Sequence, residues 1–190
     1  MKAKLIIGVD EVGRGCLAGP LVAGAVLLKK PIPGLRDSKK LTKLQRTKLD
    51  VIIRAKAIAF GLGWVTSQEV DELGLTEAVR VAMRRAVEAI TTTGAVYDQI
   101  IIDGNYNFLR DLPQASCLIK ADDLVPAVSA ASIIAKVARD TFMAQQATTY
   151  PGYNFESHVG YGTLAHRLAL QELGLCDLHR RSFAPIRAML

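Results

Sequence analysis

The chain has 190 residues, half of them hydrophobic and 22% charged, with a formal net charge of +6. That length and apolar content suit one domain with a proper core and exclude a disordered chain. No apolar run approaches the roughly 20 residues of a membrane helix, and the first strand is too short for a signal peptide, so a cytoplasmic protein is expected.

Cys16, Cys117 and Cys176 lie far apart and make no C-x-x-C pair, which argues against a disulfide framework or a zinc site. Charge is uneven. Between Lys29 and Lys56 ten lysines and arginines stand against two aspartates, a local net of +8 that leaves the remainder near −2. Such a run is either a solvated helix face or, beside an acidic site, a surface that leads a polyanion to bound cations.

In chain order, Leu5-Ile6-Ile7-Gly8-Val9 reads as a buried strand that runs into Asp10-Glu11 and the glycine-flanked Gly13-Arg14-Gly15. Adjacent acids repel, and a hard divalent ion between them is one remedy. A strand ending in solvated charge and a glycine turn is the other reading. Ideal strand geometry sends neighbouring side chains to opposite faces, so a shared site requires the strand to end or bulge there. Pro20 to Leu28 is a second strand, antiparallel to the first, with Pro31-Ile32-Pro33-Gly34 as the following turn. Thr42 and Gln45 form a capping box for a helix expected to turn Leu41, Leu44, Val51 and Ile52 inward and Lys43, Arg46 and Arg54 outward.

Ala57 to Val65 is a third strand, and Thr66 with Glu69 makes a second capping box. A helix from about Thr76 to Ile90 follows, with Val79, Ala82, Ala86 and Ile90 as its apolar stripe. Gln99 to Ile102 is a continuous apolar run suited to a central strand buried on both faces, ending at Asp103-Gly104. Ser116 to Ile119 leads to Asp122-Asp123, and Pro126 opens a long helix whose small residues Ala130, Ala131, Ser132, Ala135 and Ala138 let it lie close to the sheet. Tyr150-Pro151-Gly152 ends it, a last helix covers about Thr163 to Leu173, and His179-Arg180-Arg181-Ser182-Phe183 is a basic tail. Strands alternating with helices predict an α/β fold in one domain over residues 1–190.

Asp10, Glu11, Asp103 and Asp122 each follow a strand, and in open α/β sheets functional groups gather beyond the strands' carboxyl ends. Singly, Asp103-Gly104 is a common turn pair and Asp122-Asp123 suits a helix N-terminus. Together they point to a pocket in which two divalent ions about 4 Å apart would clamp a phosphodiester. No G-x-x-x-x-G-K-[ST] loop and no strand-anchored G-x-G-x-x-G is present, so familiar nucleotide hydrolysis is unsupported.

The motifs Asp10-Glu11-Val12-Gly13-Arg14-Gly15, Asp37-Ser38-Lys39-Lys40-Leu41, Ile102-Asp103-Gly104-Asn105, Ser129 to Val137 with Arg139-Asp140, Gly160-Tyr161-Gly162-Thr163 and His179 to Phe183 closely resemble bacterial ribonuclease HII, nearly end to end and in the family's order. The resemblance implies a ribonuclease H-like mixed sheet flanked by helices, with a helical C-terminal extension over about 150–190. It implies cleavage of RNA within RNA/DNA hybrids and incision 5′ to single ribonucleotides embedded in DNA, leaving a 3′-hydroxyl and a 5′-phosphate. Asp10, Glu11, Asp103 and Asp122 would be catalytic acids holding two Mn2+ or Mg2+ ions. Gly13, Arg14 and Gly15 would read the ribose 2′-hydroxyl and Tyr161 would pack on the following deoxyribose, with Lys39, Lys40, Arg181 and Ser182 also binding substrate. The family suggests a monomer.

Three positions depart from the family's pattern: Cys16 for a proline, Ala121 for a glycine and Val159 for a lysine. A proofreading-type exonuclease would want acids spaced Asp-x-Glu, whereas Asp10 and Glu11 are adjacent. Ribonuclease HIII would be expected to carry another residue in place of Arg14 and an extra N-terminal domain, for which nine residues before Asp10 leave no room. A non-catalytic nucleic-acid binder would be weakened by four uncompensated carboxylates.

Overall fold

The computed structural model describes residues 4–190. Its centre is a five-stranded sheet ordered β3-β2-β1-β4-β5, formed by β1 (Ile6–Val12), β2 (Leu21–Leu28), β3 (Ala57–Val65), β4 (Gln99–Asp103) and β5 (Ala115–Leu118). β1 runs antiparallel to β2 and parallel to β4, so the sheet is mixed, as expected. β1 holds the central place assigned from sequence to Gln99–Ile102. β4 lies one strand in from the edge, with Ile100 and Ile102 buried but Ile101 only partly so.

The helices are α1 (Lys43–Lys56), α2 (Ser67–Leu73), α3 (Leu75–Thr91), α4 (Ala121–Leu124), α5 (Pro126–Thr149), α6 (Phe155–His158), α7 (Leu164–Leu173) and α8 (Ala184–Arg187). Both predicted capping boxes are formed, at Thr42 and at Thr66. On one sheet face α3 buries Val79, Ala82, Ala86 and Ile90 against Ile7, Val9, Ile100 and Ile102. On the other, α5 lies almost on the strands. An added Cβ at Gly8 would stand 2.1 Å from the Ala127 carbonyl carbon, and one at Gly24 would stand 2.3 Å from the Ala131 oxygen.

The expected inner side of α1 is corrected. Leu44 and Val51 are each 64% exposed, Ile52 is exposed too, and the buried pair is Leu49 and Ile53. A helix packed on its neighbours through a narrow stripe buries only positions one turn apart. Arg46, expected outside, turns back to donate to the carbonyls of Ser38 and Leu41 at 2.9 and 2.6 Å.

Beyond α5 the chain builds a small core of its own, in which Tyr153, Phe155, Ala169, Leu170 and Ile186 pack with Leu17, Ala18 and Met143. His158, His166 and His179 are buried within it, each ring packed near that of Phe155. The three cysteines are free thiols. Among the described residues no helix is long and apolar enough to cross a membrane.

Candidate active site

Alternation along β1 decides where its acids go. Gly8 and Asp10 face α5, whereas Ile7, Val9 and Glu11 face α3. Pairing with β2 continues evenly through Asp10↔Gly24 and Glu11↔Ala23, while pairing with β4 stops at Val9↔Ile102. The strand neither ends nor bulges at the acids, contrary to the sequence-based requirement. Its β4 side is left open there, and both carboxylates reach the same cavity round that free edge.

The cavity has a volume of about 400 Å³ and is lined by Asp10, Glu11, Asp103, the segment 12–15, Ser38, Lys39, Ser132, Lys136 and Tyr161. A second hollow of about 490 Å³ shares Glu11, Arg14 and Asp103 and extends past Asn105, Tyr106 and Phe108. Together they make a groove along the acidic sheet edge. Asp103 ends β4 on the α5 face, and Asp122 sits in the first turn of α4 rather than at a strand end. Its backbone N–H donates to Asp103 Oδ1 at 3.4 Å, and the Glu11 N–H donates to Asp10 Oδ1 at 2.8 Å.

Burial pushes the Asp10 carboxyl well above its usual range, the charges of Glu11 and Asp103 add to the rise, and a hydrogen bond from Ser132 opposes it. Glu11 is also raised by burial, against the pull of the Arg14 guanidinium 3.6 Å away. Asp122 is raised by burial and then by Asp103. The four acids are linked in pairs, and among the described residues no three metal-ligating side chains already stand as a ready-made ion cage. The donor set fits hard divalent ions: carboxylate oxygens with no thiol or imidazole among them, and an Asp10 that has no basic partner among the described residues.

Of the expected substrate contacts, Gly13, Arg14, Gly15, Lys39 and Tyr161 line the cavity. Lys40 instead pairs with Asp123 at 2.6 Å. Arg181 and Ser182 are not among the lining residues; their N–H groups, with the Ser182 hydroxyl, are held by the Asp71 carboxylate of α2. Sequence reasoning did not single out Ser38, Ser132 or Lys136 as site residues. Ser38 and Ser132 share a 2.9 Å hydrogen bond, and the Lys136 ammonium lies 5.7 Å from the Tyr161 ring centre. All three sit inside quoted motifs, but only the packing of α5 against the turn before α1 brings them to the acids.

A sequence profile described as Ribonuclease HII matches residues 7–186. The chain belongs to the ribonuclease HII family. It is 46% identical to Ribonuclease HII of Halorhodospira halophila over 97% of this chain and 94% of that one, and 47% identical to that of Hyphomonas neptunium over 98% and 96%. Among solved structures, the ribonuclease H2 of Pyrococcus horikoshii OT3 superposes with a TM-score of 0.83 at 28% identity, covering 97% of this chain and 96% of that one. The structure of the PCNA:RNase HII complex from Archaeoglobus fulgidus matches with a TM-score of 0.80 at 25% identity, covering 94% and 95%. The fold is therefore that of the ribonuclease H enzymes, and membership in the ribonuclease HII family makes the protein a nuclease that hydrolyses phosphodiesters in RNA/DNA hybrids.

Proposed function

We propose that this ribonuclease HII incises the RNA strand of hybrids and cuts 5′ to single ribonucleotides embedded in duplex DNA, leaving 3′-hydroxyl and 5′-phosphate ends. The supporting observation is one cavity lined at once by Asp10, Glu11, Asp103, the Gly13-Arg14-Gly15 turn and Tyr161. Asp10, Glu11, Asp103 and Asp122 would hold two Mg2+ or Mn2+ ions. Bound there, such ions supply the positive charge that eases deprotonation of an attacking water and stabilises the leaving oxygen.

The chain's own residues do the selecting. Glycines at 13 and 15 let the backbone approach the sugar closely, and the 2′-hydroxyl is the group that separates RNA from DNA. The exposed Tyr161 ring offers a flat apolar surface for the next deoxyribose, and the Lys136 ammonium beside it is held in place by an ion pair with Asp140 at 2.9 Å. Lys39, on the cavity wall, brings the basic segment 29–56 to the rim of the site. The test is a nicking assay on a duplex carrying one ribonucleotide. Cutting at its 5′ side with Mg2+ or Mn2+, and none with chelator, is expected. Equal cutting of an all-DNA duplex would overturn the reading.

A further inference from the structure

Two of the largest fully buried side chains are arginines, Arg139 of α5 and Arg180 of the tail, both 0% exposed. Neither forms an ion pair among the described residues. A buried guanidinium is costly unless its donors are used. Here they are used on the backbone of one loop and its neighbour. Arg139 donates from Nε to the Pro20 carbonyl at 2.8 Å, from Nη2 to Ala18 at 3.2 Å and from Nη1 to Val159 at 2.9 Å. Arg180 donates from Nε and Nη2 to the Gly19 carbonyl at 3.1 and 2.9 Å and from Nη1 to the Arg14 carbonyl at 3.1 Å.

The two forks thus hold the loop between β1 and β2 at both ends. Gly13 lies directly on Arg139: its φ is +86°, and an added Cβ would stand 2.2 Å from Arg139 Nε. The amides of Leu17 and Ala18 donate to Gly160 and that of Gly19 to Leu178. Those of Arg14 and Gly15 have no protein acceptor among the described residues, and these two residues line the cavity. Carbonyls drawn inward onto the arginines leave free amides where the proposed ribose would lie. Burial pulls Arg180 down to about 10, still far above neutrality, so it remains a cation at working pH.

We infer that Arg139 and Arg180 are positioning residues for the ribose-reading loop, acting through the fork geometry of their donors rather than through charge alone. This rests on the function proposed above. Lysine keeps the charge but presents one donor centre, which cannot grip the Gly19 and Arg14 carbonyls as a planar fork does.

The experiment measures incision of a duplex with one ribonucleotide by the wild type, Arg180→Lys, Arg139→Lys and, as a stability control, Leu170→Ala. Leu170 is 3% exposed in the same C-terminal core and makes none of these bonds. A loop displaced by about 1 Å predicts a kcat loss of about 10- to 100-fold in each lysine variant, with KM within about threefold of wild type. Leu170→Ala should melt earlier yet keep its kcat. Unchanged kcat in both folded lysine variants, an equal loss in Leu170→Ala, or failure of both lysine variants to fold would each overturn the inference. An active wild type with unaffected lysine variants sinks this inference alone; a wild type that leaves the duplex intact sinks the functional reading with it.

Discussion

A carboxylate such as Asp10, partly buried beside Glu11 and Asp103 and without a basic partner among the described residues, destabilises the fold that carries it. Asp10→Asn removes that charge while keeping the shape. The variant should lose at least about a hundredfold in incision rate. It should also melt about 2–4 °C higher than wild type in chelator, which corresponds to roughly 1 kcal/mol in a chain of this size. Thermal melts of the two proteins with and without Mn2+ check this, because ions binding only the folded state raise the wild-type Tm and leave Asp10→Asn nearly unmoved. The sequence brought forward Asp10, Glu11, Asp103 and Asp122 as a recurrence after strands; the first three line one cavity, although Asp10 and Glu11 lie within β1, and Asp122 lies in α4. Arg139 and Arg180 were not legible as positioning groups, because an arginine within a helix or a basic tail reads as solvated until packing buries it.

Among the elements, local signals were read well where a side chain bonds its own backbone. Both capping boxes form, and β3 has the predicted bounds of Ala57 to Val65. Thr42→Ala should therefore cost about 1 kcal/mol, measured by denaturant unfolding. Readings that depended on tertiary partners fared worse. The stripe of α1 was misassigned because three of its apolar residues are left in solvent, and β4 looked central because Gln99 to Ile102 is a continuous apolar run, although its Ile101 is only partly buried. Asp10 and Glu11 share a cavity for a reason no local pattern carries: β4 stops pairing one residue before them. The small residues of α5 did announce close packing. Gly24→Val, driving a side chain into the Ala131 carbonyl, should destabilise by about 3 kcal/mol or more and lower activity with it.

At the scale of the whole molecule, the C-terminal core carries Tyr161 and Arg180 to the sheet edge, and three buried histidines hold it together. His158 donates from Nε2 to the Tyr153 carbonyl, His166 from Nδ1 to the Tyr161 carbonyl, and His179 Nε2 meets His166 Nε2 at 3.1 Å. The His166 and His179 rings are held neutral in that arrangement. Burial pulls His166 down to about 4 and lowers His179 as well. The unfolded chain takes up these protons near pH 6.5 while the folded one resists them, so the stability they contribute is full above about pH 6.5 and is lost as pH falls toward 4. Equilibrium unfolding between pH 7.5 and 4.5 should show that decline, and His166→Gln should flatten it.

The proposed function needs acids from β1, β4 and α4 to act as one metal site. Calorimetric titration of Mn2+ into the wild type and into Asp103→Asn and Asp122→Asn tests this most directly. Saturable binding in the wild type, weakened about tenfold or more by either substitution, is the predicted result. Unaltered Mn2+ affinity in folded Asp103→Asn and Asp122→Asn would contradict it.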